Sequence, residues 1–404
     1  MRWIGLAAVL AAATLAAAAG AGPTATPGVT ATQILIGGTV PLSGPETAYA
    51  PIARGAEAYF NYVNDHGGVN GRKIKYEYLD DGYDPARTVQ ATRQLVQQDG
   101  VFAIFNTVGT EHSLAIRPFL NQLKVPELFV GSGADEFARE SKQYPWSMGY
   151  LPSFTGEGAT YGRYIAKNQP TAKIAVLYEN SAFGKELLAG LRKGLGAKAK
   201  QVVATQGYEV TDSDVSSQIA SLKGSGANTF VVFALPKQTI QAFVTSSKLG
   251  WHPQYYVVSV SIDPFVMEVV RLSAGQTTTE GALSMAFLKD PTNPKSAGDA
   301  GVKLYGQIMR KYIPDAKPRE VAHLYGMAAA FTMTDALLKA GKNPTRDSLL
   351  RAATNLNETR NPFLRKGVIV KTGPGDYYPI SAGQLLRYHG TGWQPFGKVV
   401  PVTG

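Results

Sequence analysis

The sequence predicts an α/β protein of two doubly wound, parallel-sheet lobes joined by a three-strand hinge. Short apolar strands alternate with amphipathic helices, which is typical of parallel sheets covered on both faces. This alternation runs through residues 33–130 and starts again at residue 173. The chain has 404 residues, which is too long for one ordinary core and suits two domains of roughly 150–200 residues each.

The first series of elements begins at residue 33 with an apolar strand that ends in two glycines. The helix predicted after it has apolar residues at helical spacing. A second helix has Asp84 as its N-cap and Pro85 as its first residue. The predicted strands of this series are 33–38, 73–79, 101–105 and 128–130, and its predicted helices are 47–65, 85–98 and 111–123.

The second series repeats the same order and is followed by a mainly helical segment and a short tail of strands. Its predicted strands are 173–178, 202–208, 229–233 and 254–258, and its predicted helices are 184–195, 214–223 and 239–249. After it, we expect helices at 298–313, 320–340 and 346–355 and strands at 368–370 and 384–388.

Three irregular, proline-containing segments are the expected crossings between the lobes, at 144–152, at 288–295 and at Asn361–Pro362. They place residues 28–149 and 288–357 in lobe 1, and residues 150–287 and 358–404 in lobe 2. Two rigid lobes around such a hinge can close on a ligand. In open α/β sheets, ligands lie outside the carboxyl ends of the strands.

Composition excludes several classes of protein. Hydrophobic residues make up 44% of the chain and charged residues 17%, which excludes a disordered chain. Forty Lys and Arg against 30 Asp and Glu give a net charge of +10, but the basic residues are dispersed, so we expect no nucleic acid partner. Cysteine is absent, which excludes disulfides, thiolate nucleophiles and cysteine zinc sites.

The first residues have the pattern of a cleaved secretory signal peptide, for which we assign residues 1–21. Arg2 supplies a positive start, Trp3 to Ala19 is a short apolar run, and small residues follow it. A membrane anchor is the alternative, but the run is short for a span of roughly 20 residues and no positive segment follows it. The sequence therefore predicts an exported protein, located in the periplasm.

Motifs for catalysis and for cofactors are incomplete. The glycine-rich stretch 131–136 lacks the third glycine of a dinucleotide-binding loop and follows the wrong strand. The segment around Ser181 lacks the first glycine of the Gly-x-Ser-x-Gly nucleophile elbow found in hydrolases, so Ser181 is better interpreted as a helix cap. No two of the five histidines have metal-ligand spacing. We therefore expect no enzyme activity, no cofactor and no metal.

Four stretches together resemble the branched-chain amino acid (Leu/Ile/Val) class of periplasmic solute-binding proteins of ABC transporters, which have the type I periplasmic binding fold. They are residues 36–45, 63–74, 124–134 and 175–184, and they occur in this order behind the signal peptide. The resemblance covers essentially the whole mature chain. It implies a ligand pocket between the lobes and an inner-membrane ABC permease as partner, with a monomer as the default state.

The resemblance also implies the residues of the pocket, with ordinary packing as the alternative for each. Tyr49 is the aromatic residue of the first loop, and Thr110 supplies a hydroxyl for the ligand carboxylate. Backbone donors and small side chains come from the segment of Ser132, Gly133 and Ala134. The expected contacts of the second lobe are Phe183, Leu235 and Ser259, and the expected walls from the first crossing are Tyr150 and Phe154.

One departure from the family pattern leaves the ligand class open. Amino acid binders of this family place a carboxylate near the loop of Ser259 for the ligand ammonium, but here the first acid is Asp263. Asp135, Glu136 or Glu179 is a candidate substitute. The alternative is a ligand with a carboxylate and no amine, such as an aromatic or aliphatic acid, because an unpaired buried ammonium is energetically costly.

The leading hypothesis is an exported binding protein that captures a small carboxylate-bearing solute and delivers it to an ABC importer. A ligand sensor of the same fold that signals to a receptor is the second hypothesis. A hydrolase that uses Ser181 is the third.

Overall fold

The structure, a computed structural model, describes residues 26–317 and 319–403. The predicted signal peptide, residues 1–21, lies outside these residues. Within them, no helix combines the length and the apolar character that crossing a bilayer requires.

The first part of the chain forms a five-stranded, wholly parallel sheet in the order β2-β1-β3-β4-β5. Its strands are β1 (Gln33–Val40), β2 (Lys73–Asp80), β3 (Ile104–Phe105), β4 (Glu127–Val130) and β5 (Ser147–Gly149), and its helices are α1 (Pro51–Asp65), α2 (Pro85–Gln97), α3 (Thr110–Gln122) and α4 (Glu136–Arg139). Asp84 caps α2 by accepting a hydrogen bond from the Ala86 amide. This agrees with the cap predicted from the sequence.

The middle of the chain supplies five strands and five helices of a second α/β unit. The strands are β6 (Ile174–Glu179), β7 (Val202–Tyr208), β8 (Thr229–Phe233), β9 (Gln254–Val257) and β10 (Leu283–Ala286), and the helices are α5 (Phe154–Asn168), α6 (Ala182–Leu195), α7 (Ser216–Gly224), α8 (Pro236–Lys248) and α9 (Pro264–Ala274).

The last part of the chain contributes to both units. It contains α10 (Ala300–Tyr312), α11 (Ala322–Lys339), α12 (Arg346–Ala353), β11 (Asn357–Glu358), β12 (Val370–Lys371), β13 (Ala382–His389) and β14 (Gly392–Pro401). Helices α10 and α11 pack on α1 of the first unit. Strands β13 and β14 extend the second sheet, whose order is β14-β13-β10-β9-β8-β6-β7. The chain therefore passes between the two units three times.

The predicted fold class is confirmed, but four details of the prediction are wrong. The second sheet is mixed, because β13 runs antiparallel to both β10 and β14. The first crossing was predicted to be irregular, but it contains a short strand, β5. Helices α4, α5 and α9 and strands β10, β11 and β14 lie where no element was predicted. The apolar run at 101–105 pairs as a strand only at Ile104 and Phe105.

Helix α5 was missed because its glycines lower its intrinsic helix propensity. The same glycines allow α5 and α6 to pack with their backbones in contact. A Cβ atom at Gly158 would collide with the carbonyl oxygen of Leu187, and one at Gly190 with the carbonyl oxygen of Thr155. Tertiary packing thus compensates for a weak local preference.

The second and third crossings lie side by side and bond to each other. The Lys289 amide donates to the Phe363 carbonyl (3.0 Å), and the Arg365 amide donates to the Phe287 carbonyl (2.9 Å). This short antiparallel pairing ties the two crossings into one ribbon between the units. The exact residue boundaries of the two lobes stay a prediction.

Candidate functional site

A cavity of about 610 Å³ lies between the two α/β units, where loops follow the carboxyl ends of strands from both sheets. Thr110 follows β3, Leu235 follows β8 and Ser259 follows β9. Much of the wall is aromatic or aliphatic, including Tyr83 and Phe287. This is the position and the lining expected of a small-molecule site in an open α/β protein.

Direct contacts join the two units around this cavity. The Tyr49 hydroxyl donates to the Val260 carbonyl oxygen (3.3 Å), and the Ala182 amide donates to Oε1 of Glu111 (2.8 Å). The two cleft walls therefore already touch in this arrangement, so the structure is that of a closed cleft.

The start of α3 offers hydrogen-bonding groups to the cavity. Thr110, the first residue of α3, lines the cavity, and its Oγ1 lies 2.7 Å from Oγ of Ser132. Gly109 precedes the helix with a φ of 113° and provides no side-chain cap, so the first amides of this long helix stay available. A hydroxyl beside a helix N-terminus favours an anionic group such as a carboxylate.

His112, in the same first turn, was not predicted as a site residue. It lines the cavity, is 4% exposed, and has no hydrogen-bond partner at either ring nitrogen among the described residues. Its ring lies 4.2 Å from that of Tyr83, centroid to centroid. Burial lowers the pKa of His112, opposed in part by the charge of Asp81. Burial therefore favours the neutral imidazole at this position of the wall.

The structure brings six of the ten predicted site residues to the cavity wall. They are Tyr49, Thr110, Phe154, Phe183, Leu235 and Ser259. The rings of Phe154 and Phe183 meet edge to face, with centroids 4.9 Å apart. The Ser259 hydroxyl is already engaged, because it donates to the buried carboxylate of Glu157 (2.7 Å).

The other four predicted residues, Ser132, Gly133, Ala134 and Tyr150, do not line the cavity. Ser132 is fully buried and reaches the cavity only through Thr110, while its Oγ also accepts from the Ala134 amide (3.1 Å). Gly133 accepts a hydrogen bond from the Phe154 amide (2.9 Å) and packs against Pro152. These three residues support the wall from behind.

Tyr150 is fully buried in the core. Its hydroxyl donates to the Ala328 carbonyl oxygen (3.0 Å) and lies 2.9 Å from Oγ1 of Thr332, both in α11. Its polar atom is thus satisfied by the protein. This position agrees with ordinary core packing, the alternative to a ligand contact for this residue.

Two buried acidic residues lie at the contact between the two units, and one of them was not predicted from the sequence. Glu46, in the loop after β1, is fully buried, and neither of its carboxylate oxygens has a hydrogen-bond partner among the described residues. Burial, and then the charge of Glu179, raise the pKa of Glu46 to about 8, although Lys237 lowers it in part. No sequence pattern marks Glu46, because its burial depends on contact with the second unit.

Glu179, the last residue of β6, lines the cavity and was one of the predicted partners for a ligand amine. It is 6% exposed and accepts a hydrogen bond from the Tyr208 hydroxyl (3.2 Å). Burial raises the pKa of Glu179 to about 7. Because a cation nearby would favour the charged carboxylate, this position suits an amine.

Asp263 also lines the cavity, but it has a structural role. It caps α9 by accepting from the Phe265 amide (2.8 Å) and binds the Val321 amide (3.0 Å). Burial raises its pKa to about 7. The acid nearest in sequence to the Ser259 loop is therefore occupied by the protein itself.

The predictions for Ser181 and for metal binding can be compared with the described residues. Ser181 lies at the N-cap position of α6, but its hydroxyl makes no capping hydrogen bond, so the predicted side-chain cap is wrong. No group of three or more acidic, histidine or cysteine side chains in residues 26–317 and 319–403 is placed to hold a metal ion.

Known proteins of similar sequence and structure bind solutes. A Leu/Ile/Val-binding protein homolog from Brucella suis is 26% identical over 318 residues, which cover 78% of this chain and 81% of that protein. A branched-chain amino acid ABC transporter protein from Thermus thermophilus, solved with bound valine, aligns with a TM-score of 0.77 and 18% identity, covering 92% and 96% of the two chains.

A solute-binding protein of an ABC transporter from Rhodopseudomonas palustris, solved with 3,4-dihydroxybenzoic acid, aligns with a TM-score of 0.75 and 18% identity, covering 92% and 98%. These structural likenesses confirm the expected type I periplasmic binding fold. Residues 33–377 match the sequence model described as periplasmic binding protein. The chain therefore belongs to the periplasmic binding protein family.

Proposed function

We propose that this protein is exported to the periplasm, binds a small carboxylate-bearing solute between its two lobes and delivers it to an ABC permease of the inner membrane. The observation that carries the proposal is the cavity between the two α/β units, with Thr110 and the uncapped start of α3 in its wall. Such donors favour an anion, and the aromatic lining favours an apolar body.

The ligands of the similar structures support the carboxylate. Valine and 3,4-dihydroxybenzoic acid differ in size and in the presence of an amine, but both carry a carboxylate. We therefore place the carboxylate of the solute at Thr110, with Ser132 orienting the Thr110 hydroxyl from behind.

The solute is held because it contacts both lobes at once. Tyr49 and Thr110 belong to loops of the first unit, whereas Phe183 and Leu235 belong to the second. Only a ligand with higher affinity for the closed form shifts the population towards closure. Glu179 is the candidate partner if the solute carries an amine, since it is buried in the wall and forms no ion pair with a cation of the described residues.

A thermal-shift screen of residues 26–404 tests this function. One panel holds leucine, isoleucine, valine and other amino acids, and the second holds amine-free aromatic and short aliphatic acids. At about 100 times its dissociation constant, a ligand adds roughly 2.7 kcal/mol to stability, which a melting curve resolves. Stabilisation by members of either panel, lost in Thr110→Ala, supports the proposal. A flat response to both panels contradicts it.

A further inference from the structure

One part of the cavity wall is also the wall of a second cavity of about 620 Å³. The shared residues are Lys289, Asp290, Lys295, Ser296 and Arg365. They lie on the second and third crossings between the lobes and on the segment that follows the second. Thr110 lines only the first cavity, so this shared part is a different region of the cleft.

The two cavities meet at an excess of positive charge. Five basic residues line the second cavity, and we call them the basic wall: Lys289, Lys295, Arg360, Arg365 and Lys366. Two acids accompany them, and one of these, Asp299, pairs with Lys289 (2.6 Å) and caps α10. Among the described residues, the other four cations have no carboxylate within 4.0 Å, so the basic wall has a net positive charge.

Arg365 is the member of the basic wall with a fixed orientation. It is half-buried, its Nε donates to Oε1 of Gln384 (3.1 Å), and its Nη1 donates to the Leu288 carbonyl oxygen (3.3 Å). Its backbone is held by the pairing of the two crossings. These contacts leave Nη2 without a partner in the described structure. A guanidinium held in this way is preorganised to donate to a carboxylate.

Apolar side chains line the first cavity together with Arg365. Phe287 and Leu288 precede it on the neighbouring crossing, and Leu386, Trp393 and Pro395 of the β13–β14 hairpin complete the lining. The charge of Asp290 acts on Arg365, but no carboxylate of the described residues lies within 4.0 Å of it, so an anion that binds Nη2 would pair directly with this half-buried cation. A volume of about 610 Å³ is in the range that encloses a drug-sized molecule.

We propose that Arg365 is a second anion-binding subsite of this cleft, and that the solute is a dicarboxylate whose apolar body joins the two acidic groups. One carboxylate binds at Thr110 and the other binds Nη2 of Arg365, with Lys295 adding positive charge nearby. The inference rests on the proposed function, because it assumes that the first carboxylate is bound at Thr110.

The test is isothermal titration of residues 26–404 with linear α,ω-dicarboxylates of increasing chain length and with monocarboxylates of the same lengths. Arg365→Gln and the matched control Lys366→Gln each remove one positive charge from neighbouring positions. Lys366 is exposed and lines only the second cavity. Arg365→Lys keeps the charge without the planar fork, and Lys295→Gln changes an exposed side chain.

We expect an optimum chain length at which the dicarboxylate binds at least tenfold more tightly than the monocarboxylate. Arg365→Gln should remove this preference, because its affinity for the dicarboxylate falls about tenfold to a hundredfold. Lys295→Gln should reduce the preference slightly, and Lys366→Gln should leave it unchanged. Equal affinity for both series, or a preference that survives in a folded Arg365→Gln protein, overturns the second subsite alone. Binding of neither series also overturns the second subsite, and the proposed function fails with it only if the thermal-shift panels of amino acids and aromatic acids give no response either.

Discussion

Glu46 and Glu179 come from different α/β units, and they lie close enough that the charge of Glu179 raises the pKa of Glu46. Both are more than nine-tenths buried, with Glu46 in the loop after β1 and Glu179 at the end of β6. In this closed cleft, two carboxyl groups are therefore held out of water and near each other. Protonation of one of them relieves both the burial and the repulsion.

We expect the stability of this closed structure to fall as pH rises from about 5 to about 8. The folded-state pKa of Glu46 is raised from 4.5 to about 8, so its contribution is complete below pH 4.5 and is lost as pH approaches 8. Glu127, with a pKa raised to about 8 by burial, and Glu358, with a pKa raised to about 7, act in the same direction.

Glu46→Gln should flatten this dependence and stabilise the protein at pH 8, because a neutral amide cannot ionise in the buried site. Melting temperatures of both proteins across this pH range measure the effect. Glu77→Gln, on the edge strand β2, is the control and should keep the wild-type slope. If Glu46→Gln melts at the same temperature as wild type at both ends of the range, Glu46 is not a buried carboxyl group.

The hydrogen bond between Tyr49 and Val260 is expected to favour the closed cleft. Tyr49→Phe removes only the hydroxyl that donates to the Val260 carbonyl oxygen. One net hydrogen bond contributes roughly 0.5–1.5 kcal/mol, so solute affinity should fall about twofold to tenfold.

Tyr83→Phe is the matched control for that variant. Tyr83 lines the same cavity and is as buried as Tyr49, at 9% exposure, but its hydroxyl makes no hydrogen bond in the described structure. Its affinity should be unchanged, as measured by isothermal titration with the solute found in the screen. Equal losses in both variants would show that the hydroxyls act on the ligand rather than on closure.

Thr110 is expected to select for the carboxylate of the solute. Thr110→Ala removes the hydroxyl beside the start of α3, whereas Thr110→Ser keeps it. Hydrogen bonds to charged groups contribute roughly 1.5–3 kcal/mol, so the alanine variant should lose about tenfold to a hundredfold in affinity and the serine variant much less. An alanine variant with wild-type affinity would place the carboxylate elsewhere.

The glycines between α5 and α6 are expected to be essential for packing. Gly158→Ala would place a methyl group against the Leu187 carbonyl, and overpacking of this kind costs roughly 1–3 kcal/mol or more. Gly224→Ala, at the end of α7, meets open space and should stabilise the protein by up to about 1 kcal/mol. Denaturant unfolding of the two variants should give effects of opposite sign. A Gly158→Ala protein as stable as the wild type would show that α5 and α6 are not in backbone contact.

The fold could be predicted from the sequence because buried parallel strands are short, continuous apolar runs, as in β6 and β8. Features that depend on contacts between residues distant in sequence could not be predicted. Helix α5 forms because it packs against α6, although its glycines lower its helix propensity, and the burial of Glu46 depends on the second unit. Thr110 could be predicted as a site residue because the sequence resembles a known family. Arg365 carries no local signal, since its place in the cleft comes from the pairing of two crossings 77 residues apart.

The position of a bound solute tests the central claim most directly. A crystal structure of residues 26–404 with the solute identified in the screen would locate it. We expect its carboxylate within hydrogen-bond distance of Thr110, at the start of α3, and its apolar body between Phe183 and Leu235 of the second unit and Tyr49 of the first. A solute bound outside this cleft, or bound there with its carboxylate turned away from both Thr110 and Arg365, would contradict the proposed function.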